Sequence, residues 1–166
     1  MLAIASSRKM YELFQGNDLQ GSLLYKNLFS YSAQIETTSD GSHSLNRKFG
    51  FSLQFDITQN KVETAQLKRN WLGVMNLKMP DEREFKFIRK GLFKQKYLIE
   101  NLKTGEQIEV NPHFNWKQLR FDYEFQKLNI EHFNLVCLIA VYALNYERRR
   151  GILLSFFFLL VIAFKS

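Results

Sequence analysis

The block Phe133-Asn-Leu-Val-Cys-Leu-Ile-Ala-Val-Tyr-Ala-Leu-Asn-Tyr146 constrains this chain more than any other segment. It is apolar on nearly every side of a helix, so it has no face to offer water and must be enclosed by protein or lipid. A second apolar block, Gly151 to Phe164, follows Glu147-Arg148-Arg149-Arg150. As a helix, each block reaches about 21 Å at about 1.5 Å per residue, whereas a hydrocarbon core of about 30 Å needs roughly 20 residues. Each is therefore a more natural core element than a membrane span. Asn145 and the arginines behind it suit a helix C-terminus, where cations meet the negative end of the dipole, so the first helix is expected over 133–146.

The rest of the chain supplies what could enclose such a helix. Phe49, Phe51, Leu53, Phe55 and Ile57 alternate with polar residues, and so do Leu119, Phe121, Tyr123 and Phe125. A helix would smear these sets around its circumference, whereas a strand puts each on one face. Weaker alternation marks Tyr31, Ala33 and Ile35. Trp71 to Met79 and Arg83 to Ile88 flank a turn at Pro80-Asp81. Tyr97 to Glu100 and Gln107 to Val110 flank Asn101-Leu-Lys-Thr-Gly105, a hairpin connection with glycine at its end. Further breaks are expected at Gly16-Asn17-Asp18, Asp40-Gly41-Ser42, Thr58-Gln59-Asn60, Lys90-Gly91 and Asn111-Pro112. Strands thus recur from about Tyr11 to Leu128 with no amphipathic helix between them, which argues against parallel crossovers. The expected fold is mainly β: an antiparallel barrel or curved meander sheet with a hydrophobic C-terminal helix. Residues 1–150 form the barrel-like domain, and 151–166 are a hydrophobic tail.

Composition narrows the partners. A net charge of +7 favours an anionic partner, although a basic surface that only keeps the protein soluble is the plain alternative. The single cysteine, Cys137, excludes a disulfide framework and reads as a small buried hydrophobe between Val136 and Leu138. The N-terminal Met-Leu-Ala-Ile-Ala-Ser-Ser-Arg-Lys lacks the parts of a signal peptide, so a cytoplasmic location, peripheral to or anchored in the cytoplasmic face of a membrane, is expected.

A meander of short strands before one hydrophobic helix resembles the tubby C-terminal-like superfamily, which includes the LURP-one-related proteins and phospholipid scramblases. The run from Phe85 to Gly105 is similar to that family's strand, turn and hairpin rhythm, and Leu135 to Arg148 resembles its terminal helix. The resemblance covers about Tyr11 to Arg148. It implies a closed barrel around the helix and a lipid- or membrane-associated binding role.

No pattern of catalytic residues emerges. His43, His113 and His132 are scattered; His43 in a Gly/Ser turn and His113 after Pro112 read as loop residues rather than ligands. Asp81, Glu82 and Glu84 lack the spacing of a calcium loop and read as a solvated turn. Asp122 and Glu124 read as the exposed side of a strand. No nucleophile elbow, phosphate loop or dinucleotide fingerprint is present. Lys48-Phe-Gly-Phe-Ser-Leu-Gln-Phe55 departs from an RNA-recognition strand, and its aromatics share one face as a core would, so no specific nucleic-acid partner is expected. No metal or cofactor is expected either.

The basic residues are the remaining candidates. Lys68, Arg69, Arg89 and Lys90 fall at strand ends, and Lys94 and Lys96 share a face of a strand beginning near Leu92. With Arg148, Arg149 and Arg150 they are candidate contacts for an anionic lipid headgroup; strand edges guarded by lysines are the plainer reading. Basic residues beside Gly151 to Phe164, with Lys165 beyond, have the layout of a cytoplasm-anchored segment. Its short length favours a last core element over a span, with a dimer contact as a further alternative. The expected function is a non-enzymatic membrane- or lipid-associated module of tubby-like type. The alternative is an intracellular interaction protein whose tail completes its core or a homo-oligomer interface.

Overall fold

The structure is a computed structural model that describes residues 1–27, 31–48, 53–71, 74–90, 96–126 and 130–163, with backbone alone after 150. Among the described residues, twelve antiparallel strands close into one barrel in chain order. They are β1 (Leu2–Ala5), β2 (Met10–Gln15), β3 (Asp18–Tyr25), β4 (Ala33–Thr37), β5 (Gly41–Arg47) and β6 (Gln54–Gln59). Then come β7 (Val62–Arg69), β8 (Met75–Lys78), β9 (Glu84–Lys90), β10 (Lys96–Asn101), β11 (Gln107–Asn115) and β12 (Arg120–Phe125). The helix α1 (Phe133–Ala163) follows and fills the barrel. Sequence alternation becomes an inside and an outside. Phe55 and Ile57 on β6, and Tyr123 and Phe125 on β12, point to the core and are buried, while Glu36 on β4 and Glu124 on β12 are exposed.

The all-round apolar block finds its enclosure here. Every residue of α1 from Leu135 to Leu144 is at most 4% exposed. Each large side chain so buried contributes about 1.5–3 kcal/mol, so this segment outweighs a typical total stability of about 5–15 kcal/mol. Burial also pushes the Cys137 thiol pKa up, which keeps it neutral and inert as a core hydrophobe. The wall leaves no room for a side chain at Gly21 on β3. A Cβ there would lie 2.4 Å from the Glu36 carbonyl oxygen and 3.1 Å from Leu138 Cδ1. The β2–β3 register shifts beside it, between Leu13 and Phe14, and this bulge bends the wall around α1.

Connections in an antiparallel meander alternate between ends. The lower end holds the β2–β3, β4–β5, β6–β7, β8–β9 and β10–β11 turns and the start of α1. Asn134 Nδ2 donates to Gln20 Oε1 at 3.5 Å, Arg83 Nη1 donates to the Glu131 carbonyl at 3.0 Å, and His132 pairs with Asp40. The upper end holds the remaining connections and the point where α1 leaves, marked by an Arg69–Glu147 ion pair at 2.6 Å.

Several expectations need correction. The helix does not end near Asn145: α1 runs through Arg148–Arg150 to Ala163, and Arg148 and Arg149 find aromatic faces beside an ion-paired Glu147 rather than a terminus. Strands begin at Leu2, not Tyr11; β1 pairs with β12 and β2 and shuts the ring. Asp122 is half-buried rather than exposed. It accepts the Ala5 N–H at 2.7 Å and the Asn115 amide at 3.0 Å, and so extends the seam past the backbone pairing. Pro112 does not break β11. The Gln126 N–H donates to the Glu109 carbonyl, so odd-numbered residues of β11 face β12. The missing N–H of Pro112 therefore points toward β10, whose described pairing with β11 stops at Val110.

His43 and His113 are strand residues, on β5 and β11. Leu119 leaves the β12 alternation, with φ of 52° and 66% exposure. Tyr31 precedes β4 and is exposed. Phe49, Phe51, Leu92 and Lys94 lie outside the described residues.

Two predictions follow from the packing. Gly21→Ala should lower the urea midpoint by an amount worth about 1–3 kcal/mol, because the new methyl meets backbone rather than a movable side-chain tip. His43 is buried, with Nδ1 3.2 Å from Thr64 Oγ1 and Nε2 3.1 Å from the Asp40 carbonyl. Desolvation by burial lowers its pKa below the ordinary 6.5, against the opposing pull of Asp40. The unfolded chain therefore binds the proton more readily. This contribution to stability is complete above the ordinary value and is lost as pH falls below it, through the folded-state value. His43→Gln should show a smaller fall in unfolding free energy than the natural chain between neutral and mildly acidic pH.

Candidate functional site

The upper end is where the candidate residues meet. Antiparallel parity brings Lys68 and Arg69 at the end of β7, Arg89 and Lys90 at the end of β9, Lys96 at the start of β10, and Arg148–Arg150 of α1 to one rim. Only Lys94 of the expected set lies outside the described residues. Sequence reasoning missed further members: Arg8 and Lys9 between β1 and β2, Lys26 after β3, Arg47 and Lys48 at the end of β5, and Lys117 between β11 and β12, all exposed. Lys90 and Lys96 are direct cross-strand partners. Like charges placed opposite one another cost stability, so the fold alone gives no reason for that pair.

The rim residues differ in their employment. Arg69 Nε donates to Glu147 at 2.6 Å and ties the end of β7 to the departing helix. Arg148 lies flat on Phe121, with the guanidinium carbon 3.4 Å from the ring centroid, and Arg149 sits 4.6 Å from that of Tyr25. Cation–π contact offsets part of the cost of half-burying these charges. Lys68, Lys90 and Lys96 are exposed.

Beneath the rim is a feature the sequence reading did not single out. All seven tyrosines gather toward this end: Tyr11, Tyr25, Tyr97 and Tyr123 on the wall, Tyr31 before β4, and Tyr142 and Tyr146 on α1. Tyr11 and Tyr123 donate to Asn145 Oδ1 at 3.2 and 2.8 Å, and Asn145 Nδ2 donates to the Tyr25 hydroxyl at 3.3 Å. Tyr142 donates to the Tyr31 carbonyl at 2.8 Å. Burial raises the pKa values of Tyr11, Tyr25, Tyr123 and Tyr142, so these hydroxyls stay protonated; Tyr11, Tyr123 and Tyr142 donate, and Tyr25 accepts from Asn145. Tyr25, Tyr31, Tyr142, Tyr146 and Arg149 line a small cleft between wall and helix. The signal available in advance was tyrosine at the strand end nearest a basic pair, as in Tyr25-Lys26 and Lys96-Tyr97.

The lower end has the opposite charge. Asp18, Asp40, Glu63, Asp81, Glu82, Glu106 and Glu131 lie at its turns. Asp81 and Glu82 are exposed in the β8–β9 turn, as expected, and Asp81 also joins a charged cluster there. Asp81, Glu131 and His132 place their potential ligand atoms within 4.8 Å of one another. Arg83 already pairs with Asp81 and, at 3.4 Å, with Glu131, while His132 turns Nδ1 to Asp40. Hydrogen bonds from Ser39, His132 and Thr37 outweigh burial and hold the Asp40 carboxyl below its usual range. These charges are matched internally, and the cluster fastens the start of α1 to the β4–β5 and β8–β9 turns. The RNA-like segment contributes Phe55, fully buried, to the core; Phe49 to Ser52 are outside the described residues.

Replacing Asn145 with Leu should strand the Tyr11, Tyr25 and Tyr123 hydroxyls. A loss of about 1–3 kcal/mol in unfolding free energy is expected, readable by chemical denaturation, with tyrosine near-ultraviolet dichroism reporting the altered cluster. Comparison of the chain with protein-family models, curated proteins and solved structures found no match.

Proposed function

We propose that this chain is a non-enzymatic module that binds anionic membrane surfaces through the upper end of its barrel. One observation carries the reading: the helix that fills the barrel leaves through its basic rim, and the sequence it carries outward, Gly151 to Phe164, is apolar. A bilayer with anionic headgroups offers the matching order of charge, then hydrocarbon. Each lysine or arginine near such a surface contributes about 1 kcal/mol, and the apolar segment adds burial that salt does not screen.

Among the described residues no helix is long and apolar enough to cross a membrane. The segment beyond Arg150 reaches about 21 Å at 1.5 Å per residue, enough to enter one leaflet. The anionic cytoplasmic leaflet is the surface that this charge pattern favours. The outward rows of the barrel are mixed: Glu12, Gln34, Glu36 and Asp56 are polar, while Leu2 and Leu24 are exposed apolar residues on β1 and β3. The tubby-like resemblance is part of the same reading, since a barrel around a hydrophobic helix is what it implies.

The test is flotation with phosphatidylcholine vesicles of rising phosphatidylserine content at several salt concentrations. Binding should grow with anionic lipid and weaken, without vanishing, as salt shortens the Debye length from about 10 Å at 0.1 M. The double variant Lys90→Gln/Lys96→Gln should bind about 2 kcal/mol more weakly, at about 1 kcal/mol per charge, while its folding stability holds or rises because the like-charge pair is gone. Absence of binding, with self-association that depends on residues 151–166, would favour the interaction-protein alternative.

A further inference from the structure

The chain has two tryptophans, Trp71 and Trp116. Among the described residues they are the most exposed large apolar side chains, at 89% and 79%. Neither contributes to the core, and both stand at the upper end: Trp71 between β7 and β8, directly after Lys68-Arg69-Asn70, and Trp116 between β11 and β12, beside Lys117. Exposed aliphatics also occur at the lower end, one to a turn: Leu19 adjoins Asp18, Val62 lies between Lys61 and Glu63, and Leu102 adjoins Lys103. Only the basic end combines bare indoles with cations. That pairing suits the headgroup layer, where an amphipathic ring is favoured and positive charge meets phosphate.

Both tips are held in place. The Asn70 N–H donates to the Val74 carbonyl at 2.9 Å, and the Val74 N–H returns to Asn70 Oδ1 at 2.9 Å, closing the loop that carries Trp71. Asn115 Oδ1 accepts the N–H groups of Lys117 and Gln118 at 3.1 and 3.2 Å, which shapes the turn at Trp116. The Trp116 ring meets Phe114 edge-on at 4.7 Å, Phe114 meets Phe121 at 5.1 Å, and Phe121 lies under the Arg148 guanidinium. A continuous line of contacts therefore joins the Trp116 tip to the point where α1 leaves the barrel. The two tips are four strands apart on the twelve-stranded ring.

We propose that Trp71 and Trp116 are interfacial anchors that enter the headgroup layer of an anionic bilayer. With α1 as the third point, they fix the angle at which the barrel stands on the membrane. This rests on the membrane reading above, but it assigns contact to two loops that charge alone does not require.

Because the chain has only these two tryptophans, its intrinsic indole fluorescence reports on them and nothing else. The full-length protein is mixed with phosphatidylcholine/phosphatidylserine vesicles, with and without lipids brominated at shallow or deep acyl positions. The expected result is a shift of emission to shorter wavelength, with stronger quenching by the shallow bromines. Trp71→Ala and Trp116→Ala should each keep part of the shift. The double variant should unfold at an unchanged temperature yet float several-fold less. Protein that floats with vesicles while its emission and quenching stay unchanged overturns the anchors and leaves the membrane reading standing. Protein that does not float overturns both. An emission shift that tracks protein concentration without lipid assigns the tips to a protein contact instead and also sinks the proposal.

Discussion

A helix with no polar face has to be surrounded, and nearly everything else in this molecule follows from that requirement. The segment of α1 inside the barrel touches wall on every side, so an open sheet could not satisfy it. The wall in turn has no other filling: its inward residues, from Tyr11 to Phe125, bury themselves against α1. Closure also removes the free strand edges that a meander would expose. Barrel and helix are therefore one cooperative unit rather than a scaffold with an appendage. Gly21, where an added Cβ would crowd Leu138 and the β4 backbone, sits beside the β2–β3 register shift.

Legibility in the sequence tracks how local the determining physics is. The strand character of Phe55 to Ile57 and of Phe121 to Phe125, and the hairpin after Asn101, could be read because alternation and turn chemistry act over a few residues. β1 could not: Leu-Ala-Ile-Ala is short, and its defining partner, β12, lies more than a hundred residues away. The end of the helix was misread for a related reason. Cations after an apolar block suit a C-terminus when only the local dipole is considered. The aromatic faces of Phe121 and Tyr25, and the pairing of Glu147 with Arg69, come from elsewhere in the chain. Asp122 looked like a solvent-facing carboxylate because its partner, the Ala5 N–H, belongs to the strand that was missed.

The candidate site was half legible. Most of its basic residues could be named, since lysines and arginines at strand ends are visible as such. What sequence did not supply was parity. In an antiparallel meander, strand ends separated by one full hairpin fall at the same end of the barrel, while those separated by a single strand fall at opposite ends. Applying that rule needs an unbroken count of strands, and one missed strand leaves the ring unable to close. With all twelve in place, most of the candidate basic residues fall at the upper end, most turn carboxylates at the lower end beside Lys61, Lys78, Arg83 and Lys103, and the tyrosines gather under the basic rim.

That separation bears on how a helix can leave an apolar core at all. Between Tyr146 and Gly151 the chain must pass from protein interior to whatever lies beyond, and four consecutive charged residues occupy the crossing. Within the barrel Glu147 is answered by Arg69, and Arg148 and Arg149 by aromatic rings; outward the arginines contribute to a positive rim. The same residues thus have two demands to meet, inward compensation and outward charge. Guanidinium groups suit both better than ammonium groups, because a flat, weakly hydrated cation can stack on an aromatic face and still present N–H donors along its edge. An all-lysine crossing would favour water more strongly and stack less well, loosening the tie between the departing helix and the wall. Arginine at three successive positions suits a boundary where a helix leaves a protein core through a charged rim.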